Sequence, residues 1–181
     1  METHNLIKFY DLETYILTDV RQHFNRNEFL TSFDFFCIII WKANRAKTKI
    51  AKRLLNRNLN LEESVKDLTS KIFKAADDKQ KLKVLVDDYK FRLPMSSAIL
   101  TLLYPDNFTV YDVRVCDTLT AFKGIDTTKD FEKLWTNYKK YIESVKEYEP
   151  KSLSLRDKER FLWGKSFYEQ LTDNLKNSFQ K

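Results

Sequence analysis

Glycine is the residue that this sequence of 181 residues lacks most plainly, since it occurs only as Gly124 and Gly164. The fingerprint of dinucleotide-binding domains and the phosphate loop of P-loop NTPases each need several glycines close together, so both are excluded. Sheet proteins with many tight hairpins also rely on glycine in their turns. The scarcity of glycine therefore argues against nucleotide-binding α/β folds and against a turn-rich β fold.

Cysteine and histidine are as scarce as glycine, with two residues of each. His4 and His23 lie far along the chain from Cys37 and Cys116, and no spacing typical of a zinc site occurs. We therefore predict neither a metal ion nor a cofactor. Both cysteines fall in apolar helical stretches, as expected of buried, reduced thiols.

Long apolar segments are missing as well. The run FDFFCIII at 33–40 is too short to cross a bilayer, and no apolar segment near residue 1 resembles a secretory signal. The sequence therefore predicts a cytoplasmic protein without a membrane partner.

The residues that are present suit a globular, basic protein. The chain is 43% hydrophobic and 14% aromatic, which is enough to form a sizeable core. Charged residues make up 32% of the chain with both signs mixed, and the net charge is +6. A positive balance favours a polyanionic partner, and nucleic acid comes ahead of a membrane surface.

Helical signals dominate the chain. Apolar residues recur at helical spacing from Leu12 to Phe24, and no apolar alternation of strand length stands out. Capping patterns begin at Thr31, Asn60 and Ser154. Helices are predicted near 10–24, after Thr31, near 46–56, 61–76, 79–89, 94–104 and 112–122, from Thr128, and from Ser154 to about 177. The fold class is therefore all-α, an irregular bundle of about eight or nine helices. It forms one domain over 1–181, or two lobes with a hinge near 123–128.

A one-sided basic segment lies between residues 42 and 60, where no acidic residue occurs. Its cations are Lys42, Arg45, Lys47, Lys49, Lys52, Arg53 and Arg57. Such a run is often only a solvated helix face. It is equally the pattern of a helix that follows a phosphate backbone with salt-sensitive affinity.

The stretch KFRLPMSS joins two predicted helices through a basic turn and indicates a helix-hairpin-helix unit over about 79–104. The turn amides and the start of the second helix would point the same way and form an anion site. Lys90 and Arg92 would add positive charge, and Ser96 and Ser97 would add hydroxyl donors. The alternative is an ordinary helical hairpin whose cations are merely solvated.

Asp112 follows the turn and extended stretch PDNFTVY and stands directly before the predicted helix VRVCDTL. Aspartate is a favoured N-cap residue, so helix capping accounts for this residue without any chemistry. Nothing in the spacing alone makes Asp112 catalytic.

The pattern LPMSSAIL followed by PDNFTVYDVR resembles the core of the helix-hairpin-helix DNA glycosylase superfamily. The segments WKANR at 41–45 and LRDKERFLW at 155–163 resemble parts of its small bacterial members, and the resemblance is clearest over 33–122. In that superfamily a hairpin binds DNA phosphate through backbone amides, and an aspartate stands at the start of a following helix. Asp112 falls on that aspartate, so the resemblance implies that Asp112 is catalytic.

The chain departs from the superfamily pattern in three ways. Lys90 and Arg92 occupy the places of the hairpin Gly-x-Gly, so side-chain charge would replace close backbone approach. Met95, Ser96 and Ser97 stand where bifunctional members carry a lysine nucleophile. A four-cysteine cluster is also lacking. The resemblance therefore implies a monofunctional enzyme without an iron–sulfur cluster.

Further roles follow from the chemistry of base excision. A carboxylate near the sugar stabilises the positive charge that builds up there, and aromatic faces hold the extruded base. The resemblance makes Tyr111, Trp41 and Trp163 candidates for the base pocket. Lys42, Arg45 and Arg114 are candidates for nucleic-acid contact. For each aromatic residue, packing in the core is the competing interpretation.

We therefore expect a protein that binds duplex DNA and resembles a monofunctional DNA glycosylase. One alternative is a non-catalytic relative that binds nucleic acid through the same hairpin. Another is a helical protein-interaction module whose basic surface meets an acidic partner. The mixed charges at 156–160 in the last helix indicate ion pairs with a structural role.

Overall fold

A computed structural model of the chain describes the backbone of residues 3–55 and 59–178 and the side chains of 6–55 and 59–178. All regular structure in these ranges is helical, so the predicted all-α class is confirmed. Arg57 of the basic segment and His4 fall outside the side chains described.

Ten α-helical segments occur in the described residues, and eight of them have seven residues or more. They are α1 (Leu12–Tyr15), α2 (Arg21–Asn27), α3 (Ser32–Ala43), α4 (Lys47–Leu55), α5 (Leu61–Lys74), α6 (Asp78–Lys83), α7 (Leu93–Leu103), α8 (Val113–Leu119), α9 (Phe131–Glu147) and α10 (Leu155–Asp173). Wider π-helical turns join α1 to α2 at Ile16–Val20 and extend α6 at Val84–Asp88 and α10 at Asn174–Ser178. Short 3-10 turns lie at Thr3–Phe9, Asn44–Ala46 and Ile125–Thr127.

Side-chain caps begin α5 and α10 where the sequence indicated. At α5 the Glu63 amide donates to Asn60 Oδ1 at 2.9 Å, and Glu63 Oε2 accepts from the Asn60 amide at 3.0 Å. Ser154 caps α10 through the Asp157 amide at 3.1 Å. The start expected at Thr128 lies further on, because Asp130 caps α9 with the Lys133 amide at 2.7 Å.

The capping box expected at Thr31 forms in part. The Asp34 amide donates to Thr31 Oγ1 at 3.2 Å, which caps α3. The buried Asp34 carboxylate instead accepts from the Tyr15 hydroxyl at 3.1 Å and lies 3.2 Å from His23 Nδ1. Asp34 therefore joins α3 to the first helices of the chain.

The chain divides into two compact units, Met1–Tyr104 and Pro105–Lys181. The division lies before the segment 123–128, where the sequence suggested a hinge. Pro105 lacks an amide hydrogen and disfavours helix at the residue before it, so α7 ends there. At 123–128 the Thr127 amide and hydroxyl both donate to the Gly124 carbonyl, at 3.1 and 2.7 Å, and form an ordered turn within the second unit.

The core of the first unit is built around α7, in which nine of eleven residues are buried. Helix α3 contributes Phe35, Ile38 and Ile39 to this core. Phe24 of α2 meets the Tyr104 ring edge-on with 5.8 Å between centroids. The burial of α7 explains why LPMSSAIL contains small and apolar residues only.

The core of the second unit fixes the extended segment that leads into α8. Tyr138 and Tyr141 of α9 are fully buried, and their hydroxyls donate at 2.7 Å to the carbonyl oxygens of Thr109 and Val110. Burial raises the pKa of Tyr141 well above its usual value, so its hydroxyl remains a donor. These bonds hold the backbone just before Asp112 in place.

The charged start of α10 forms ion pairs within the helix. Arg156 pairs with Glu159, and both side chains are buried. On the outer side, Arg160 Nη1 lies 2.8 Å from Asp157 Oδ1. The ion pairs expected of this mixed-charge segment are confirmed.

Both cysteines are free and buried, as expected for Cys37 and Cys116. Among the helices of the described ranges, none has both the length and the apolar character that a membrane span requires.

Candidate functional site

The basic turn at 89–92 connects the π-helical end of α6 to α7. Lys90 has φ 57°, a left-handed conformation that favours glycine. The amide of the buried Phe91 donates to the Leu85 carbonyl at 2.9 Å and closes the turn. Lys90 and Arg92, on either side of this anchor, are exposed. That the turn is a phosphate-binding hairpin stays a prediction.

Ser96 and Ser97 do not share the exposure of the turn. Both side chains are fully buried in α7. Ser96 Oγ donates to the Phe91 carbonyl at 3.5 Å and Ser97 Oγ donates to the Pro94 carbonyl at 3.3 Å. Because their hydroxyls face the protein interior, we leave both serines out of the candidate nucleic-acid surface.

The basic helix α4 and the basic turn are in direct contact through Arg53. Its guanidinium donates to the Lys90 carbonyl oxygen and lies 5.8 Å from the centre of the Phe91 ring. Three further cations of α4 are exposed, namely Lys47, Lys49 and Lys52. Two features that the sequence showed separately thus belong to one part of the first unit. We call this set (Lys47, Lys49, Lys52, Arg53, Lys90, Arg92) the basic surface.

The WKANR segment lies immediately before α4. Arg45 is exposed in the 3-10 turn that joins α3 to α4, whereas Trp41 and Lys42 at the end of α3 are half-buried. Arg45 is therefore available for nucleic-acid contact. The roles predicted for Trp41 in a base pocket and for Lys42 in nucleic-acid binding stay predictions.

Positive charge is concentrated in the first unit. Residues 1–104 contain 18 lysines and arginines against 13 acidic residues, while residues 105–181 contain 14 against 13. The net charges are thus +5 and +1. No acidic residue occurs between Asp34 and Glu62, a stretch that includes all of α4.

Asp112 is the N-cap of α8. Its backbone is extended, with φ −138° and ψ 142°, and its Oδ1 accepts from the Arg114 amide at 3.1 Å. The side chain is half-exposed. The capping role expected from the sequence is confirmed, and the catalytic role stays a prediction.

Arg114 and Trp163, two residues that the sequence singled out separately, lie together in the second unit. The Arg114 guanidinium carbon is 5.2 Å from the centre of the Trp163 ring and 5.5 Å from that of Phe167. The two aromatic rings stack at 5.7 Å with 9° between their planes. This arrangement places a cation over an aromatic pair two residues after Asp112 in the chain.

A polar network that sequence reasoning missed continues from Arg114. Its Nη1 donates to Gln170 Oε1 at 2.9 Å, and Gln170 Nε2 donates to Asp117 Oδ2 at 3.2 Å. Asp117 Oδ1 lies 2.5 Å from Lys123 Nζ, which raises the pKa of Lys123. The spacing of 163, 167 and 170 marks one helix face and could have suggested that Phe167 and Gln170 belong with Trp163.

Tyr111 belongs to the core and not to a surface pocket. Its side chain is buried, and its hydroxyl donates to the Phe122 carbonyl at 2.8 Å. Its ring meets Tyr141 edge-on at 5.4 Å, and burial raises the pKa of Tyr111 to about 12. Since neither ring face is open to solvent, we withdraw Tyr111 as a base-stacking residue and retain the core interpretation.

No group of three or more His, Cys, Asp or Glu side chains placed to hold a metal ion occurs in the part of the chain that the structure describes. The comparisons with known proteins were negative: no family model matches the chain, and neither the curated proteins nor the solved structures gave a match.

Proposed function

We propose that this chain binds duplex DNA through the basic surface and removes a damaged or mismatched base with Asp112 as the essential carboxylate. The reaction is hydrolysis of an N-glycosidic bond by a monofunctional glycosylase. The observation that carries the binding proposal is the contact of Arg53 with the turn at 89–92. This contact joins α4, which contains no acidic residue, to the exposed cations Lys90 and Arg92.

The basic surface suits a phosphate backbone. Lysine and arginine side chains that neutralise phosphates release bound counterions, which is the main source of affinity in sequence-independent DNA binding. The left-handed conformation of Lys90 gives the turn a backbone shape that glycine commonly supplies. In this proposal Lys90 and Arg92 contact phosphates through their side-chain charges, in place of the close backbone approach that glycines allow.

The excision proposal rests on the position of Asp112 at a rigid helix start. Breaking the bond between base and sugar builds positive charge on the sugar, and a nearby carboxylate stabilises that charge and orients the attacking water. The bonds from Tyr138 and Tyr141 to the preceding backbone keep Asp112 in a fixed position, as a preorganised charge requires. Trp41 and Trp163 remain the candidates for stacking on the extruded base.

A non-catalytic DNA-binding protein is the second candidate. The capping bond from the Arg114 amide favours it, because this bond gives Asp112 a structural role that needs no chemistry. The two candidates share the basic surface and differ only in what Asp112 does.

The Lys90→Ala/Arg92→Ala double variant tests the binding proposal. We expect it to bind duplex DNA more weakly than wild type and to flatten the slope of log affinity against log salt by roughly one unit per lost phosphate contact. Fluorescence anisotropy over a salt titration measures both quantities. The matched control is Lys139→Ala/Lys140→Ala, which removes two exposed lysines from α9. Equal affinities and slopes for wild type and the turn variant would exclude the turn from the DNA site.

A further inference from the structure

Helix α10 holds the guanidinium of Arg114 from two sides. The rings of Trp163 and Phe167 lie against it, with 5.2 and 5.5 Å between its central carbon and the ring centres. Beside the rings, Gln170 Oε1 accepts from Arg114 Nη1 at 2.9 Å. The half-buried side chain of Arg114 is therefore fixed on the surface of the second unit, which lowers the entropy that it would lose on binding a ligand.

The amide of Gln170 is oriented by a network of its own. Its Nε2 donates to Asp117 Oδ2 and to Ser166 Oγ, both at 3.2 Å, so its oxygen is the atom that faces Arg114. Asp117 in turn pairs with Lys123, which balances its negative charge. Among the residues that the structure describes, Arg114 forms no ion pair with a carboxylate. Arg114 is thus held by aromatic rings and a neutral amide, and it keeps its full positive charge for a ligand.

One edge of this guanidinium is open. Arginine carries its N–H groups in a planar fork, and within the described residues the side chain of Arg114 donates only the bond from Nη1 to Gln170. Nε and Nη2 donate none to the residues described, and neither atom is closed off from solvent. These two nitrogens form the side of the guanidinium that can bind two oxygens of a phosphate in parallel. Arg114 therefore presents a preorganised fork to an oxyanion.

We propose that Arg114 binds a phosphate that flanks the nucleotide whose sugar faces Asp112. This inference rests on the proposed function, in which Asp112 is the carboxylate of base excision. The Cα atoms of the two residues are at most about 7 Å apart, because only one residue separates them in the chain. A nucleotide placed against Asp112 thus has its own phosphates within reach of the long arginine side chain.

Binding at this phosphate would orient the sugar for the reaction. A nucleotide held through its phosphate cannot turn freely, so the bond to the base stays aligned with the Asp112 carboxylate. Trp163, Phe167 and Gln170 then act as positioning residues, because they fix the guanidinium and do not neutralise it. Lysine could not replace Arg114, since an ammonium group lacks the planar fork that binds two phosphate oxygens and stacks on aromatic rings.

A double-perturbation cycle, measured by fluorescence anisotropy, tests the contact and needs no excision. The duplex contains a tetrahydrofuran abasic site, and the phosphates on either side of it are replaced one at a time by an uncharged methylphosphonate. At one of these positions the replacement should weaken binding by wild type about tenfold. Arg114→Ala should bind the unmodified duplex about tenfold more weakly and lose nothing further on replacement. Arg160→Ala, at an exposed arginine of the same unit, should respond to the replacement as wild type does.

Two further variants separate the shape of the fork from its charge. Arg114→Lys keeps the charge, yet the loss of affinity caused by the methylphosphonate should fall to about threefold or less. Gln170→Glu places a carboxylate beside Arg114 Nη1 and should reduce this loss to the same extent. Its Tm should change by less than about 2 °C, because Gln170 is exposed. Gln22→Glu, the same change at an exposed glutamine of α2, should respond to the methylphosphonate as wild type does.

The outcomes distinguish this inference from the proposed function. A loss on methylphosphonate replacement that is the same in Arg114→Ala as in wild type would overturn the inference, whatever the Lys90→Ala/Arg92→Ala variant shows. If that turn variant binds the duplex as wild type does while the cycle shows coupling at Arg114, the basic surface fails and the inference stands.

If wild type binds no duplex, a thymidine–tetrahydrofuran–thymidine trinucleotide at about 10 mM decides, with the indole N–H signal of Trp163 followed by NMR. A shift of this signal that Arg114→Ala abolishes would support the phosphate contact even then. No shift would overturn the inference. A shift that persists in Arg114→Ala would also overturn it, because the trinucleotide would then contact the ring and not the guanidinium.

Discussion

Replacing Asp112 with asparagine is expected to leave the protein folded and to slow base excision by at least about a hundredfold. Asparagine is as good an N-cap residue as aspartate, and its side-chain oxygen can accept the same bond from the Arg114 amide. The free energy of unfolding should therefore change by less than about 1 kcal/mol. What the variant loses is the negative charge that stabilises the cationic sugar.

The assay compares wild type and Asp112→Asn on a panel of duplexes that contain damaged or mismatched bases, and melting temperatures are measured in parallel. Asp130→Asn is the matched control, since Asp130 caps α9 in the same way through the Lys133 amide. It should keep full activity. Excision that persists undiminished in Asp112→Asn would assign Asp112 to capping alone. Absence of excision by wild type across the panel would favour the non-catalytic DNA-binding protein.

Reversing the charge of α4 is expected to have the largest effect on DNA binding. The variant Lys47→Glu/Lys49→Glu/Lys52→Glu places three carboxylates where the proposal has three phosphate contacts. We expect the affinity for duplex DNA at about 0.1 M salt to fall by at least about a hundredfold, because attraction to the backbone becomes repulsion. All three side chains are exposed, so the fold should persist.

A second charge reversal distinguishes the effect of where the charges lie from the effect of the net charge. The variant Lys133→Glu/Lys139→Glu/Lys140→Glu changes three exposed lysines of α9 and alters the net charge by the same amount. Because these lysines lie outside the basic surface, their reversal should weaken only the long-range attraction between the protein and DNA. The loss of affinity for duplex DNA should therefore be several times smaller than in the α4 variant. Equal losses in the two variants would mean that DNA responds to net charge and not to the basic surface. Filter binding or fluorescence anisotropy at two salt concentrations measures the affinity of both variants for duplex DNA.

The helices and their starts could be predicted because capping and periodicity are local. Asn60 and Ser154 cap their helices as the sequence indicated, since an N-cap bond joins residues only three positions apart. Asp34 shows the limit of this reasoning. Its partners Tyr15 and His23 lie eleven or more positions away, and a pattern of four residues contains no information about them.

The site was predicted less well, because exposure depends on tertiary packing. Ser96, Ser97 and Tyr111 have side chains suited to phosphate or base contact, yet all three are buried. The helix that contains the two serines is buried on almost every side, and Tyr111 packs on Tyr141. Residue type indicates what a side chain can bind but not whether a ligand can reach it.

The backbone conformation of Lys90 and the exposed face of α10 follow only from the three-dimensional fold. In the sequence, Lys90 departs from the glycine pattern of the superfamily's hairpin. In the structure, its backbone nevertheless adopts the left-handed conformation that glycine favours. Lysine gives no sequence signal for a positive φ. In α10 the mixed charges at 156–160 indicated ion pairs, whereas Phe161, Tyr168 and Leu171 further along the helix are exposed. Periodicity identifies an apolar face, but whether the chain covers that face follows from the fold.

The central claim is that DNA contacts the basic surface, and hydrogen–deuterium exchange with and without a saturating undamaged duplex tests it most directly. The account predicts slower exchange in peptides that cover Lys47–Leu55 and 89–93, with exchange in α9 unchanged. In the Lys90→Ala/Arg92→Ala variant, DNA should protect 89–93 less than it does in wild type, and this loss should exceed the loss at Lys47–Leu55. Protection confined to the second unit, or no protection at a duplex concentration that saturates binding, would contradict the account.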